Sequence, residues 1–152
     1  MVNIQIGDLY NQNGLEDLLD NTAQTALRHQ ALDPSKEELT IVLTSDEEIQ
    51  ELNHQYLGID SPTDVLSFEG DEIDPETGIR YLGDIIISYP RAQAQAEART
   101  GSDRSELQLL VVHGILHLLG YDHAEDLQKE EMWAVQGQIL GELGLGSINP
   151  IG

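Results

Sequence analysis

Three histidines, His113, His117 and His123, fall within the eleven residues HGILHLLGYDH. On a helix, positions four apart share a face with Cβ atoms about 5–6 Å apart, so the His113 and His117 imidazoles can reach one point. Gly120 stands where a helix commonly ends in a left-handed residue, which lets the chain reverse through Tyr121 and Asp122 and return His123 toward that point. Core histidines satisfied by carbonyls are the plainer alternative. Against them stands a cost of about 1–3 kcal/mol for each buried polar group left unpaired, incurred twice on one apolar helix. Three neutral imidazoles leave a metal's charge intact and one coordination position open, the pattern of catalytic zinc sites. The expectation is one divalent ion per chain, Zn2+ by ligand type, lowering the pKa of a water to about 7. His29 and His54 have no convergent spacing and read as surface or helix-face residues.

The pattern H-x-x-x-H-x-x-G-x-x-H is shared with a large group of metalloproteases, in which Glu follows the first histidine as general base. Gly114 occupies that place here, so the metal reading survives and the protease reading weakens. Asp122, beside one candidate ligand, either orients an imidazole or stabilises the turn. Among the few cations, Arg80, Arg91, Arg99 and Arg104 all precede the histidine helix within one quarter of the chain. Arg80 and Arg91 flank the segment LGDIIIS and are candidate phosphate contacts. Arg99 and Arg104 read as a solvated polar face. Thr63 and Asp64 lie at a turn into a strand, where substrate contact and simple capping are both sufficient explanations.

These residues need a scaffold. VNIQI (2–6), ELTIVLTS (38–45), DVLSF (64–68) and LGDIIIS (82–88) read as strands, and the turn-rich EGDEIDPETGIR joins the last two as a long hairpin loop. Apolar positions at Leu15, Leu18, Leu19, Ala23, Ala26 and Leu27 predict a helix that Asp33-Pro34 stops. Ser45 with Glu48 forms a capping box for a helix through about Tyr56. Pro90 opens a helix over 91–99, and Gly101-Ser102-Asp103 separates it from one running to Leu119. That helix is apolar on nearly every side from Leu107 onward, as a buried helix reads. A last helix covers 125–142. Strands interleaved with helices argue for a single layered domain of the α+β or α/β kind over residues 1–152.

Composition sets the surroundings. With 28 acidic and 7 basic residues the net charge is −21, which repels nucleic acid and anionic lipid at long range and serves solubility. No cysteine is present, so thiolate metal sites and disulfides are excluded. The opening MVNIQIGDLY lacks the basic and apolar stretches of a secretory signal, and the run LQLLVVHGILHLLG falls short of the roughly 20 residues that span a bilayer. A cytoplasmic protein without a membrane segment is expected.

HGILHLLGYDH also resembles the signature H-G-x-L-H-L-x-G-Y-D-H of the YbeY family of metal-dependent endoribonucleases, with every fixed position present. The similarity takes in ELNHQYLGIDSPTDVLSF (51–68), LGDIIIS (82–88) and SELQLLVVHG in the same order. It implies an α+β fold, a small mixed four-stranded sheet packed with about five helices, and a zinc-type ion held by His113, His117 and His123. It further implies hydrolysis of RNA phosphodiesters, in maturation of small-subunit rRNA and ribosome quality control. Its partners would be rRNA or a ribosomal particle, with a ribosomal or assembly-factor protein. Family members commonly carry Arg in a Y-R-G segment before PTDVLSF, where this chain has Leu57. Two other functions stay open: a peptidase or other hydrolase on the same histidine triad, and a non-catalytic, metal-stabilised ribosome assembly factor.

Overall fold

The structure is a computed structural model that describes residues 1–121 and 125–145. Its order is β1 (Val2–Ile6), α1 (Leu15–His29), β2 (Glu37–Thr44), α2 (Asp46–Leu57), β3 (Val65–Glu69), β4 (Arg80–Ser88), α3 (Tyr89–Arg99), α4 (Asp103–Leu118) and α5 (Asp126–Glu142). The four strands form one mixed sheet in the order β1-β2-β4-β3, with β3 antiparallel to β4 and the other two pairings parallel. The α+β expectation is met; most bounds are displaced by a residue or two, while α1 ends at His29, before the expected stop at Asp33-Pro34.

Alternation explains how the sheet acquires two apolar faces. Leu39, Ile41 and Leu43 of β2, with Ile85 and Ile87 of β4, face the main core, where α1 and α4 contribute Leu19, Leu27, Leu110 and Ile115. The intervening side chains, Val42 and Ile86 among them, meet Ile49 and Leu52 of α2 on the opposite face. Helix α4 is the centre of the packing: from Glu106 to Leu118 every residue except His117 is buried. A helix covered on all sides carries apolar residues on all sides, which is why its sequence shows no amphipathic stripe.

Serines begin three of the helices. The hydroxyls of Ser45, Ser88 and Ser102 accept from the backbone N–H groups of Glu48, Arg91 and Ser105, satisfying donors that have no partner inside the helix. The expected capping box at Ser45 is half made. The Glu48 carboxylate accepts from the Thr44 hydroxyl at 2.8 Å.

One irregularity interrupts the sheet. The pairing of β2 with β4 slips between Glu38 and Leu39, leaving Leu82 as an extra residue on β4. Gly83 adopts φ 141°, and a Cβ there would lie 2.2 Å from the Phe68 carbonyl oxygen, so only glycine fits this β-bulge. The bulge inverts the alternation: Leu82 joins Ile85 and Ile87 in the main core, and Tyr81 comes onto the same face as Asp84. Its phenol bonds to both Asp84 and Thr40. Burial first, and then the Asp84 bond, push the Tyr81 hydroxyl up to about 12. Arg80, two places before Leu82, is thereby turned to the helix-covered face, where it forks onto Glu37 at 2.9 and 3.2 Å.

Candidate metal centre and its cleft

His113 and His117 project from the last two turns of α4. His113 is 4% exposed and His117 half-buried. Their Nε2 atoms stand 3.1 Å apart, with ring centroids at 4.6 Å and planes crossing at 78°. Two nitrogens bound at about 2.0–2.1 Å to one tetrahedral zinc lie about 3.3 Å from each other, so the 3.1 Å spacing, which is that of a hydrogen bond between the rings, is also close to what a shared ion requires. On its other side, His113 Nδ1 is 3.1 Å from the Oε1 of Gln136, a buried residue of α5. Sequence reasoning missed Gln136. The signal was present, since a lone amide interrupts the buried stripe of Met132, Ile139 and Leu140.

Beyond the pair, α4 ends as expected from Gly120. Gly120 takes φ 99°, its N–H bonds the His117 carbonyl at 3.0 Å, and the Tyr121 N–H bonds the Leu116 carbonyl at 2.9 Å. This paired closure is the Schellman motif, and it turns the chain sharply back. The Tyr121 hydroxyl donates to Gln30 Oε1 at 2.9 Å, fixing the turn to the end of α1. Two of the sequence-derived site residues, Asp122 and His123, lie outside the described residues. Among the described residues no group of three or more His, Cys, Asp or Glu is placed to hold an ion together.

The histidines line a cleft of about 560 Å³ with Thr63, Asp64, Ser67 and Tyr121. Leu57 is also part of its wall. Thr63, Asp64 and the histidines, some fifty residues apart in the chain, are thus brought together. Asp64 is itself engaged: Oδ1 accepts from the Val65 N–H at 2.8 Å and Oδ2 lies 3.5 Å from Arg99. Both turn capping and a place in the cleft apply to it.

Arg99 departs from the solvated face expected of it. Its side chain is 19% exposed and forks onto Glu106, a carboxylate with no exposure at all, while also bonding Gln95 at 2.7 Å. Burial opposes charge on Arg99; Glu106 and Asp64 overcome that and hold its pKa above the ordinary value. The Thr100 hydroxyl gives Glu106 a further donor at 3.1 Å. Buried charges need such complete pairing.

The two arginines proposed for phosphate are not gathered with the histidines. Arg80 opens onto a neighbouring cleft of about 570 Å³ across the Gly120-Tyr121 turn, beside Gln128 and Glu131. Arg91 forks onto Asp46 at 3.0 and 3.3 Å. The Arg91 bond holds the Asp46 carboxyl below its usual value, with Ser88 assisting against partial burial. Arg104 donates to the Asn13 carbonyl at 2.7 Å. Among the described residues no helix is long and apolar enough to cross a membrane.

Comparison with known proteins gives this cleft its context. The family model of the endoribonuclease YbeY matches residues 2–144. An endoribonuclease YbeY of Halalkalibacterium halodurans is 44% identical, over 95% of this chain and 98% of its own. One of Brevibacillus brevis is 41% identical, over 86% and 88% respectively. The solution structure of a Thermotoga maritima protein superposes with a TM-score of 0.58 at 31% identity, covering 95% of this chain and 92% of that one. Matched along nearly its whole described length by the family model and by full-length relatives, the chain belongs to the endoribonuclease YbeY family.

Proposed function

We propose that this chain is a metal-dependent endoribonuclease that holds one zinc-type divalent ion on His113, His117 and His123 and hydrolyses phosphodiesters of ribosomal RNA, in small-subunit rRNA maturation and ribosome quality control in the cytoplasm. The observation that carries it is the convergence of His113 Nε2 and His117 Nε2 to 3.1 Å on the wall of an open cleft, in a chain whose relatives bear the name endoribonuclease. Tyr121, two residues before His123, lines that same cleft.

When bound, a divalent ion supplies Lewis acidity toward a phosphoryl oxygen and a water of lowered pKa. The chain's own residues do the positioning. Helix α4 holds two imidazoles one turn apart. Thr63 and Ser67 offer hydroxyls along the wall for a sugar or phosphate oxygen. Asp64 is held away from free rotation by Val65 and Arg99. Asp122 remains the carboxylate nearest a candidate ligand in sequence.

The peptidase alternative is disfavoured by packing. A Cβ at Gly114 would lie 2.9 Å from Ile85 Cγ2, so position 114 points into the sheet. A general base built there would face the core. The test is cleavage of rRNA fragments and ribosomal particles by the metal-loaded chain, with the His117→Ala variant as control and elemental analysis of both. Metal-dependent cutting that disappears with His117 supports the reading. An ion-loaded chain that binds particles and leaves RNA intact selects the assembly-factor role, and one that cuts a peptide library instead selects the peptidase.

A further inference from the structure

We propose that Gln136 is a positioning residue for the metal centre: by accepting the Nδ1 hydrogen of His113 it fixes the ring in the tautomer that presents an Nε2 lone pair to the ion. This rests on the metal reading above and assigns a function to α5 that the histidine motif does not contain.

The chemistry is restrictive. An amide Oε1 carries no hydrogen, so at 3.1 Å from Nδ1 it can only accept, and the ring nitrogen must be the donor. A neutral imidazole has one N–H, which leaves Nε2 as the nitrogen with a lone pair. That Nε2 is the atom facing His117 Nε2 at 3.1 Å. The ring is therefore oriented from behind, and the nitrogen that keeps the lone pair is the one facing His117. Metal-ligating histidines commonly have their second nitrogen fixed this way, and loss of such a partner weakens metal binding by about 10–100-fold.

Placement of the glutamine supports a dedicated role. Gln136 is 2% exposed, His113 is 4% exposed, and the helix positions around Gln136 are Met132, Ile139 and Leu140. An apolar side chain would suit that stripe better unless the amide makes a needed bond, because a buried amide is costly without one. Glutamine orients the ring with a neutral acceptor.

The experiment uses the full chain. The tautomer of His113 is read from long-range 1H–15N correlations in the metal-free protein, about two pH units above the ordinary imidazole value of ~6.5 so that the rings are neutral. Its signals are assigned by their loss in His113→Asn. Zinc affinity is measured by competition with a chromophoric chelator for the wild type, for Gln136→Met, which keeps volume and removes the acceptor, and for Gln136→Glu, which keeps an acceptor. Expected are an Nδ1–H ring in the wild type, an affinity about 10–100-fold weaker in Gln136→Met, and an affinity closer to wild type in Gln136→Glu. A wild-type His113 carrying its hydrogen on Nε2 overturns the proposal without needing any variant to fold. So does a folded Gln136→Met that binds zinc as tightly as the wild type. A wild-type chain with an Nδ1–H ring that binds no zinc sinks the metal centre itself, an outcome separate from the failure of Gln136.

Discussion

Replacing Gly114 by alanine should destabilise the fold even though it improves the helix. In mid-helix, alanine is favoured over glycine by about 0.5–1 kcal/mol through backbone entropy. Here the new Cβ would meet Ile85 at 2.9 Å (Cγ2), 3.1 Å (Cδ1) and 3.2 Å (Cγ1). Ile85 is fully buried, and its β-branch leaves few rotamers in a strand, so α4 itself has to move away from β4. Overpacking of this kind costs about 1–3 kcal/mol, which exceeds the propensity gain. The net loss is about 0–2.5 kcal/mol, or up to several degrees in Tm at about 2–4 °C per kcal/mol for a chain of this size. Denaturant midpoints measure it directly, and a double-mutant cycle isolates its cause. In an Ile85→Ala background the clashing atoms are gone, so Gly114→Ala should become neutral or stabilising, giving a coupling of about 1–3 kcal/mol. A stabilised Gly114→Ala in the wild-type background, or two changes that simply add, would refute the reasoning. The same geometry means Gly114→Glu drives a carboxylate against Ile85, and loss of folding is expected from it rather than peptidase activity.

Other expectations follow from the ion pairs and the cleft. Arg99→Ala removes the partner of the fully buried Glu106 and should cost about 3–5 kcal/mol in urea unfolding, more than Glu106→Gln, which leaves a neutral group behind. Leu57→Arg places a cation on the wall of the cleft; RNA binding should tighten, and the slope of log affinity against log salt, shallow in the wild type, should steepen by about 1. Asp46 has its carboxyl held below the ordinary 3.8 by Arg91, so it contributes stability above that value and loses it as pH falls through the lower folded value. Arg91→Ala should therefore reduce stability at neutral pH and leave it unchanged at pH low enough to protonate Asp46 in both states, as urea midpoints across an acid titration would record.

Local signals carried most of the elements. Pro90 and the serine caps set helix starts, and alternation around Ile41 and Ile85 marked strands whose two faces are both covered. Gly120 announced the end of α4, and the bonds of its N–H to the His117 carbonyl and of the Tyr121 N–H to the Leu116 carbonyl close the helix there. What stayed hidden depended on pairing between distant segments. Nothing in LGDIIIS marks Gly83 as a bulge until the Phe68 carbonyl is seen against it, and without the bulge Arg80 would be assigned to the wrong face of the sheet. Likewise Arg99 reads as solvated because its partners lie elsewhere, Glu106 on α4 and Asp64 in the turn before β3. Gln136, twenty-three residues from His113, becomes a site residue only once α5 packs on α4.

The charge distribution bears on how so acidic a chain would engage RNA. Arg80, Arg91 and Arg99 each face a carboxylate of the fold, and Arg104 a backbone carbonyl. A guanidinium already forked onto a carboxylate has little left to give a phosphate, so these cations act mainly as ties between elements. The cleft beside the histidines is lined by Thr63 and Ser67 and by the acids Asp64 and Glu69. On the proposed reading, the positive potential that draws a phosphodiester into this cleft comes largely from the ion, since no Lys or Arg is among the described residues that line it. Affinity for naked RNA would then depend on metal loading more than on any single arginine, and a ribosomal particle would raise the local concentration that long-range charge opposes.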